Sequence, residues 1–178
     1  MNVNDIRTKI KLQRQNLNLS EVESLSAAVF NNFLKLDFIL EKQNFFIYNA
    51  IKNEVDTSLI ISQLKGLNKT IAYPVTIGSE MVAGINNSDN FSLGNFNVLE
   101  PSSYTIMKKV DVAIIPLVAC DENKNRIGYG KGYYDKFLKD NDIVKIGLCY
   151  DFQITSTITP NEWDVPLDYI VTPTRIIY

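Results

Sequence analysis

Val110-Asp111-Val112-Ala113-Ile114-Ile115-Pro116-Leu117-Val118 is the strongest core-strand signal in the chain. Apart from Asp111 it is apolar throughout, which suits a strand in the middle of a sheet. Phe45-Phe46-Ile47-Tyr48 is a shorter apolar run without alternation, as expected for a strand buried on both faces. Residues 69–75, with Pro74 near the end, 145–150 and 168–172 read as further strands.

Helical spacing falls between these runs. Residues 4–15 predict a helix with Ile6, Ile10 and Leu17 on its apolar side. Ser20 opens a second helix: Ser20-Glu21-Val22-Glu23 has capping-box spacing, and Val22, Leu25, Val29, Phe33 and Leu36 recur at helical intervals. Thr57 or Asp56 caps a third through Leu59, Ile60 and Leu64, closed by Gly66, and residues 134–139 begin a fourth. Strands that alternate with helices predict an α/β fold of three layers, a mainly parallel Rossmann-like sheet flanked by helices. Ligands of such sheets sit in the crevice at the strand C-termini. Residues 78–103, rich in Asn, Ser and Gly, read as a hairpin-like excursion or a mobile flap. At 178 residues the chain is expected to form one domain spanning 1–178.

Composition removes several chemistries. There is no histidine, so Ser-His-Asp and Cys-His machinery, His-ligated zinc and an imidazole proton shuttle are excluded. Acid–base work falls to carboxylates, Lys, Tyr or the substrate. Two cysteines, Cys120 and Cys149, are too few for a disulfide scaffold and read as buried reduced thiols. A net charge of −2 argues against nucleic acid as a partner. No apolar run approaches the ~20 residues of a membrane span, and the first fifteen residues carry no apolar signal core. The expectation is a cytoplasmic protein with no membrane partner.

Chemistry concentrates in Arg126-Ile127-Gly128-Tyr129-Gly130-Lys131-Gly132-Tyr133-Tyr134-Asp135. Three glycines at alternate positions permit positive φ and close backbone approach, and successive N–H groups in such a loop can converge on an anion. Lys131 adds a full positive charge, which suits a polyphosphate. The spacing is neither that of a Walker A loop nor that of the dinucleotide fingerprint, and a structural turn remains the competing reading. Asp135 either favours the start of the helix that follows or, with Asp164, holds Mg²⁺. Taken by themselves, Arg7 and Arg14, two turns apart on one helix face, read as a solvated face, Glu54 as a cap for the helix that follows, and Tyr134 as mainly packing.

The decapeptide resembles the signature of the 5-formyltetrahydrofolate cyclo-ligase family, whose members are also called 5,10-methenyltetrahydrofolate synthetases. The resemblance runs along nearly the whole chain, in order. It includes Ile6-Arg7 and Arg14, Asn53-Glu54-Val55-Asp56, Tyr73-Pro74, Glu100-Pro101 and Ile115-Pro116-Leu117-Val118-Ala119-Cys120-Asp121. Ile146-Gly147-Leu148, Gln153 and Asp164-Val165-Pro166-Leu167-Asp168 complete it. Val3 stands where many members carry a lysine.

The resemblance implies conversion of 5-formyltetrahydrofolate to 5,10-methenyltetrahydrofolate by a monomer, with ATP consumed, Mg²⁺ as cofactor and ADP and phosphate released through an iminium phosphate. By motif position, ATP would meet Val3, Asn4, Asp5, Ile6, Arg7, Arg14, Arg126, Ile127, Gly128, Tyr129, Gly130, Lys131, Gly132, Tyr133 and Tyr134. Lys131 and Arg126 would be catalytic. The folate would meet Asn49, Glu54, Tyr129, Gly130, Lys131, Gly132 and Tyr133. Asp135 and Asp164 would hold the metal. A non-catalytic nucleotide- or folate-binding regulator and a phosphate-ester isomerase are the alternative readings.

Overall fold

A computed structural model describes residues 2–139 and 142–178. Helices α1 (Val3–Gln15) and α2 (Leu19–Phe33) lead into β1 (Asn44–Ile47), α3 (Ser58–Gly66) and β2 (Thr70–Ile77). Strands β3 (Glu80–Asn86), β4 (Phe91–Leu93), β5 (Leu99–Pro101) and β6 (Tyr104–Ile106) follow, then β7 (Val112–Pro116), β8 (Ala119–Cys120) and β9 (Arg126–Ile127). The chain closes with α4 (Tyr133–Lys139), β10 (Val144–Leu148), β11 (Tyr169–Val171) and β12 (Ile176–Ile177).

Eight strands form the main sheet in the order β12-β11-β10-β7-β1-β2-β3-β6. The central five, from β11 to β2, pair in parallel, and β12, β3 and β6 extend the edges antiparallel. In the middle, Phe45, Phe46 and Ile47 of β1 lie opposite Val112, Ala113 and Ile114 of β7. Alternate residues of these strands enter different cores. Phe45, Ile47, Val112 and Ile114 pack with Val29 and Phe33 of α2 and Ile60 and Leu64 of α3. Phe46, Ala113 and Ile115 pack on the other face with Leu138 of α4 and Ile143. This double burial is why both runs lack polar alternation. Each buried aliphatic side chain adds about 1.5–3 kcal/mol of transfer free energy.

Several local expectations shift. The second helix starts earlier than Ser20: Asn18 is its N-cap, with Asn18 and Glu21 forming the reciprocal box. Thr57 holds the N-cap position of α3 but its hydroxyl donates to Tyr48 O instead of capping, while Asp56 before it accepts from Ser58 N at 2.7 Å. Leu59 is exposed, off the apolar side of α3. The turn that ends α3 takes its positive φ, 55°, at Asn68 rather than at Gly66. Half of residues 78–103 is strand: β3 joins the main sheet, and β4 and β5 form a small hairpin. Cys120 and Cys149 are buried free thiols, their Sγ atoms 3.6 Å apart. Among the described residues no helix is long and apolar enough to cross a membrane.

From β7 the chain makes the short β8–β9 hairpin, on which α1 docks through Ile10 against Val118, Ala119 and Ile127. Asp121 organises the hairpin's turn. Its buried carboxylate accepts from Asn123 N and Asn125 N through Oδ1, and from Asn125 Nδ2 and Ile158 N through Oδ2. In Asp121→Asn the amide NH₂ must face donors on one side or the other. Hydrogen bonds to a charged group contribute about 1.5–3 kcal/mol, so the variant should lose about that much stability. Urea unfolding should give a lower midpoint with an unchanged m-value.

Candidate active site

Successive parallel strands leave β1 on opposite sides. The chain runs from β1 through α3 to β2, then returns across β1 to pair β7 on its far edge. The strand order reverses there, and the loops diverge to open a crevice at the C-terminal ends of β1 and β7. A cavity of about 780 Å³ lies at this point, lined by Tyr48 and Asn49 after β1 and by Pro116 at the end of β7. That volume falls within the range of small-molecule sites.

The loop after β1 is folded tightly back. The Tyr48 hydroxyl donates to Val55 O at 2.8 Å, and the Tyr150 hydroxyl to Glu54 O at 3.1 Å. Asn53 Nδ2 donates to Arg14 O and Leu17 O, fastening the loop to the end of α1. These bonds set Glu54 in the cavity wall with only 5% of its surface exposed. Its Oε2 accepts from Ile51 N at 3.0 Å, and its Oε1 accepts from the Tyr129 hydroxyl. Burial raises the Glu54 carboxyl above the usual range, against the pull of Arg14, the Tyr129 and Ile51 hydrogen bonds and Lys52. Glu54 is therefore no helix cap. Asn49 donates through Nδ2 to Leu99 O at 2.8 Å, joining the end of β1 to β5.

Opposite lies the glycine loop. Arg7 Nε donates to Gly128 O at 2.9 Å, and Arg7 Nη1 to Asn4 Oδ1 at 3.0 Å, so α1 grips the loop through a guanidinium. Gly130 and Gly132 have φ of 87° and 71°, where a side chain is strained. A Cβ on Gly130 would also stand 3.4 Å from Arg7 Nη2. Lys131 sits between them, exposed and in the cavity lining. Tyr133 donates to Gly78 O at 3.2 Å and Lys136 Nζ to Ser79 O at 3.4 Å, so the β2–β3 turn closes the rim. Tyr134 packs near Phe46, with ring centroids 6.1 Å apart, and burial pushes its phenol up.

Arg126, expected as a catalytic cation, is almost fully enclosed and ion-paired, its Nη2 2.6 Å from Asp135 Oδ1. Its Nε has no hydrogen-bond partner among the described residues. Val165 N donates to the same Asp135 oxygen at 3.4 Å. Asp164 Oδ2 accepts from Asn161 N and Nδ2. Asp135 and Asp164 both line the cavity, and no larger cluster of His, Cys, Asp and Glu occurs among the described residues. Two carboxylates beside a glycine-rich loop fit Mg²⁺, which takes few protein ligands and completes its shell with water and ligand oxygens.

Of the residues singled out from the sequence, Val3, Arg7, Asn49, Glu54, the whole stretch from Arg126 to Asp135, and Asp164 line the one cavity. Asn4, Asp5, Ile6 and Arg14 do not. Arg14 is 2% exposed and bound to Lys52 O and the Tyr129 hydroxyl instead. The lining also includes Lys52, Thr76, Met81, Glu100 and Trp163, to which the sequence reading gave no contact role. Glu100 Oε1 accepts from Thr76 N and Oγ1, which turns β5 toward β2. The signal for it was the Glu100-Pro101 pair.

Residues 2–173 match the 5-formyltetrahydrofolate cyclo-ligase family. The chain is 31% identical over 174 residues to the 5-formyltetrahydrofolate cyclo-ligase of Mycoplasma genitalium, covering 94% of this chain and 96% of that protein. It is 27% identical over 173 residues to the Haemophilus influenzae cyclo-ligase, covering 91% and 92%. The NMR structure of Aquifex aeolicus 5,10-methenyltetrahydrofolate synthetase superposes with a TM-score of 0.87 at 30% identity, covering 99% of this chain and 92% of that one. For the Mycoplasma pneumoniae 5,10-methenyltetrahydrofolate synthetase the TM-score is 0.81 at 26% identity, covering 97% and 99%. The family match spans nearly the whole chain, its fold is that of the synthetases, and its signature loop lines the crevice at the strand reversal: the chain is an enzyme that belongs to the 5-formyltetrahydrofolate cyclo-ligase family.

Proposed function

We propose that this enzyme converts ATP and 5-formyltetrahydrofolate to ADP, phosphate and 5,10-methenyltetrahydrofolate. One observation carries the reading: the same cavity is lined by an Arg7-gripped glycine loop with Lys131 and by a buried carboxylate at Glu54, bonded to Tyr129 of that loop. The first suits a polyphosphate and the second a flat heterocycle with N–H donors, so the two substrates would meet there.

The chemistry needs little covalent help. A formyl amide oxygen is a poor leaving group. Transfer of the γ-phosphoryl group to that oxygen, with ADP leaving, gives an iminium phosphate. The neighbouring N10 then attacks the formyl carbon and loses its proton, and the C–O bond breaks to release phosphate. Catalysis consists of positioning and charge neutralisation. Lys131 would meet the transferring group, and Gly130 and Gly132 would let the backbone approach the phosphates. Glu54, as an acceptor-only carboxylate, would orient the pterin through its N–H groups. Asp135 and Asp164 would hold Mg²⁺, which supplies further charge neutralisation at the phosphate oxygens. Arg126 would act through Asp135, by fixing that carboxylate.

A steady-state assay tests the reading: the absorbance of the methenyl product should rise in step with ATP loss, and a binding-only protein would give neither. In Lys131→Met, loss of a charge-assisted contact worth about 1.5–3 kcal/mol should lower kcat/KM roughly tenfold to more than a hundredfold, with urea stability unchanged. Near-normal turnover would remove Lys131 from the phosphates. Glu54→Gln should raise the folate KM or lower kcat while nucleotide affinity stays near normal, and weakening confined to ATP would reverse the assignment. Trp163, more than half exposed beside Asp164, reports on the metal side. Mg-ATP should change its emission, magnesium alone should do little, and Asp164→Asn should blunt the response. A flat titration with ATP bound by another measure would take Asp164 out of the site.

A further inference from the structure

Arg14 stands two helical turns from Arg7, yet the two do different things. Arg7 reaches the glycine loop from the cavity side, whereas Arg14 lies behind that loop and is absent from the cavity lining. It borders instead a small void of about 70 Å³ with Lys11, Gln15, Lys52 and Tyr129. Tyr129 lines both spaces and forms a wall between them.

The bonds across this wall form a chain. Arg14 Nε donates to Lys52 O at 3.0 Å, and Nη2 donates to the Tyr129 hydroxyl. That hydroxyl donates in turn to Glu54 Oε1. Among the described residues Arg14 Nη1 has no hydrogen-bond partner, and it lies 3.8 Å from the same Glu54 oxygen. A guanidinium and a carboxylate, each about 95% buried or more, thus face one another with a phenol between two of their arms. Burying both charges is costly, and such a pair is more easily explained by what it positions than by the stability it adds.

We infer that Arg14 is a positioning residue: acting through Tyr129, it fixes the Glu54 carboxylate in the cavity wall and ties the glycine loop to it. The inference rests on the reading of Glu54 as the pterin-side acceptor. Tyr129 can accept from Arg14 only while its proton points at Glu54, so the guanidinium sets the direction of both hydrogen bonds. The groups that bear on Glu54 are Arg14 from α1, Lys52 beside it in sequence, Tyr129 from the glycine loop, Tyr48 after β1, Tyr134 in α4 and Tyr150 after β10. Only Arg14 and Lys52 among them are cations, and of the two Arg14 has the stronger pull. Without Arg14, burial would be opposed at Glu54 only by the Tyr129 and Ile51 hydrogen bonds and Lys52, and the carboxyl would protonate at higher pH.

The Glu54 titration can be followed directly by ¹³C NMR on protein labelled at the glutamate side-chain carboxyls, with Glu54→Gln assigning the resonance. Arg14→Met should raise the midpoint by about one to three pH units, as expected for loss of an opposite charge at this distance. Arg14→Lys should restore most of it. The acid limb of kcat/KM for the folate should move up by a similar amount, with KM for ATP nearly unchanged. A midpoint that does not move, or a loss confined to KM for ATP, overturns the inference. If Arg14→Met shows no cooperative unfolding transition, Tyr129→Phe decides. Removing that one oxygen should raise the Glu54 midpoint and the folate KM together, and no change in either overturns the inference. Normal folate kinetics in Glu54→Gln would sink the pterin reading alone, since the NMR titration judges Arg14 whatever Glu54 binds.

Discussion

β1 and β7 lie side by side with water excluded from both faces, and the site follows from that. Phe45, Phe46 and Ile47 against Val112, Ala113 and Ile114 are each 0% exposed, so neither strand can shift register without moving a buried side chain to the opposite core. Two central parallel neighbours that are not consecutive in sequence must be approached from opposite directions. Their outgoing loops therefore part, and the crevice between them is a product of topology before any particular residue fills it. What this sequence adds is the content of the two loops: an acid folded back beneath β1, and a glycine-rich turn delivered by the β8–β9 hairpin after β7.

Glycine loops need restraint as well as freedom, because positive φ at Gly130 and Gly132 removes the steric limits that would otherwise hold them. The restraints are polar and long-range. Arg7 holds Gly128 O, Tyr129 holds Glu54, and Tyr133 reaches Gly78 O. The three anchors come from α1, the loop after β1 and the turn after β2, so each wall of the cavity contributes to placing the loop. Lys131 lies on the exposed stretch between the second and third anchors.

How much of this can be read from the sequence depends on how local the cause is. The doubly buried strands are legible because burial on two faces leaves an apolar run. The edge strands are not: β3 has polar ends at Glu80 and Asn86 and a glycine at 84, and β12 is two residues long, so neither leaves a long apolar or alternating run, although each pairs with the strand before it, β2 and β11. Asn18 and Ser20 each have a glutamate three residues on, so spacing alone cannot rank them as caps for α2. The chemical content of the cavity was legible from the glycine decapeptide, and Glu54 from its motif. Arg14 was not. Its seven-residue interval from Arg7 puts both on one helix face but also about 10 Å apart along the axis, so one ligand group cannot take both.

The helix that carries both arginines lies across the loop rather than along the cavity. Ile10, between them, is the buried apolar contact with Val118, Ala119 and Ile127, and it sets α1 on the hairpin like a pivot. One end then reaches Gly128 with a half-exposed guanidinium, and the other sinks a guanidinium behind Tyr129. Asn53 fastens the sunken end by bonding Arg14 O and Leu17 O from the loop that carries Glu54. Any displacement of the glycine loop must therefore pull on α1 at one end and on the Glu54 loop at the other. The glycine loop and the Glu54 loop are thus joined twice, directly through Tyr129 and indirectly through α1 and its two arginines, so that neither loop can shift without the other.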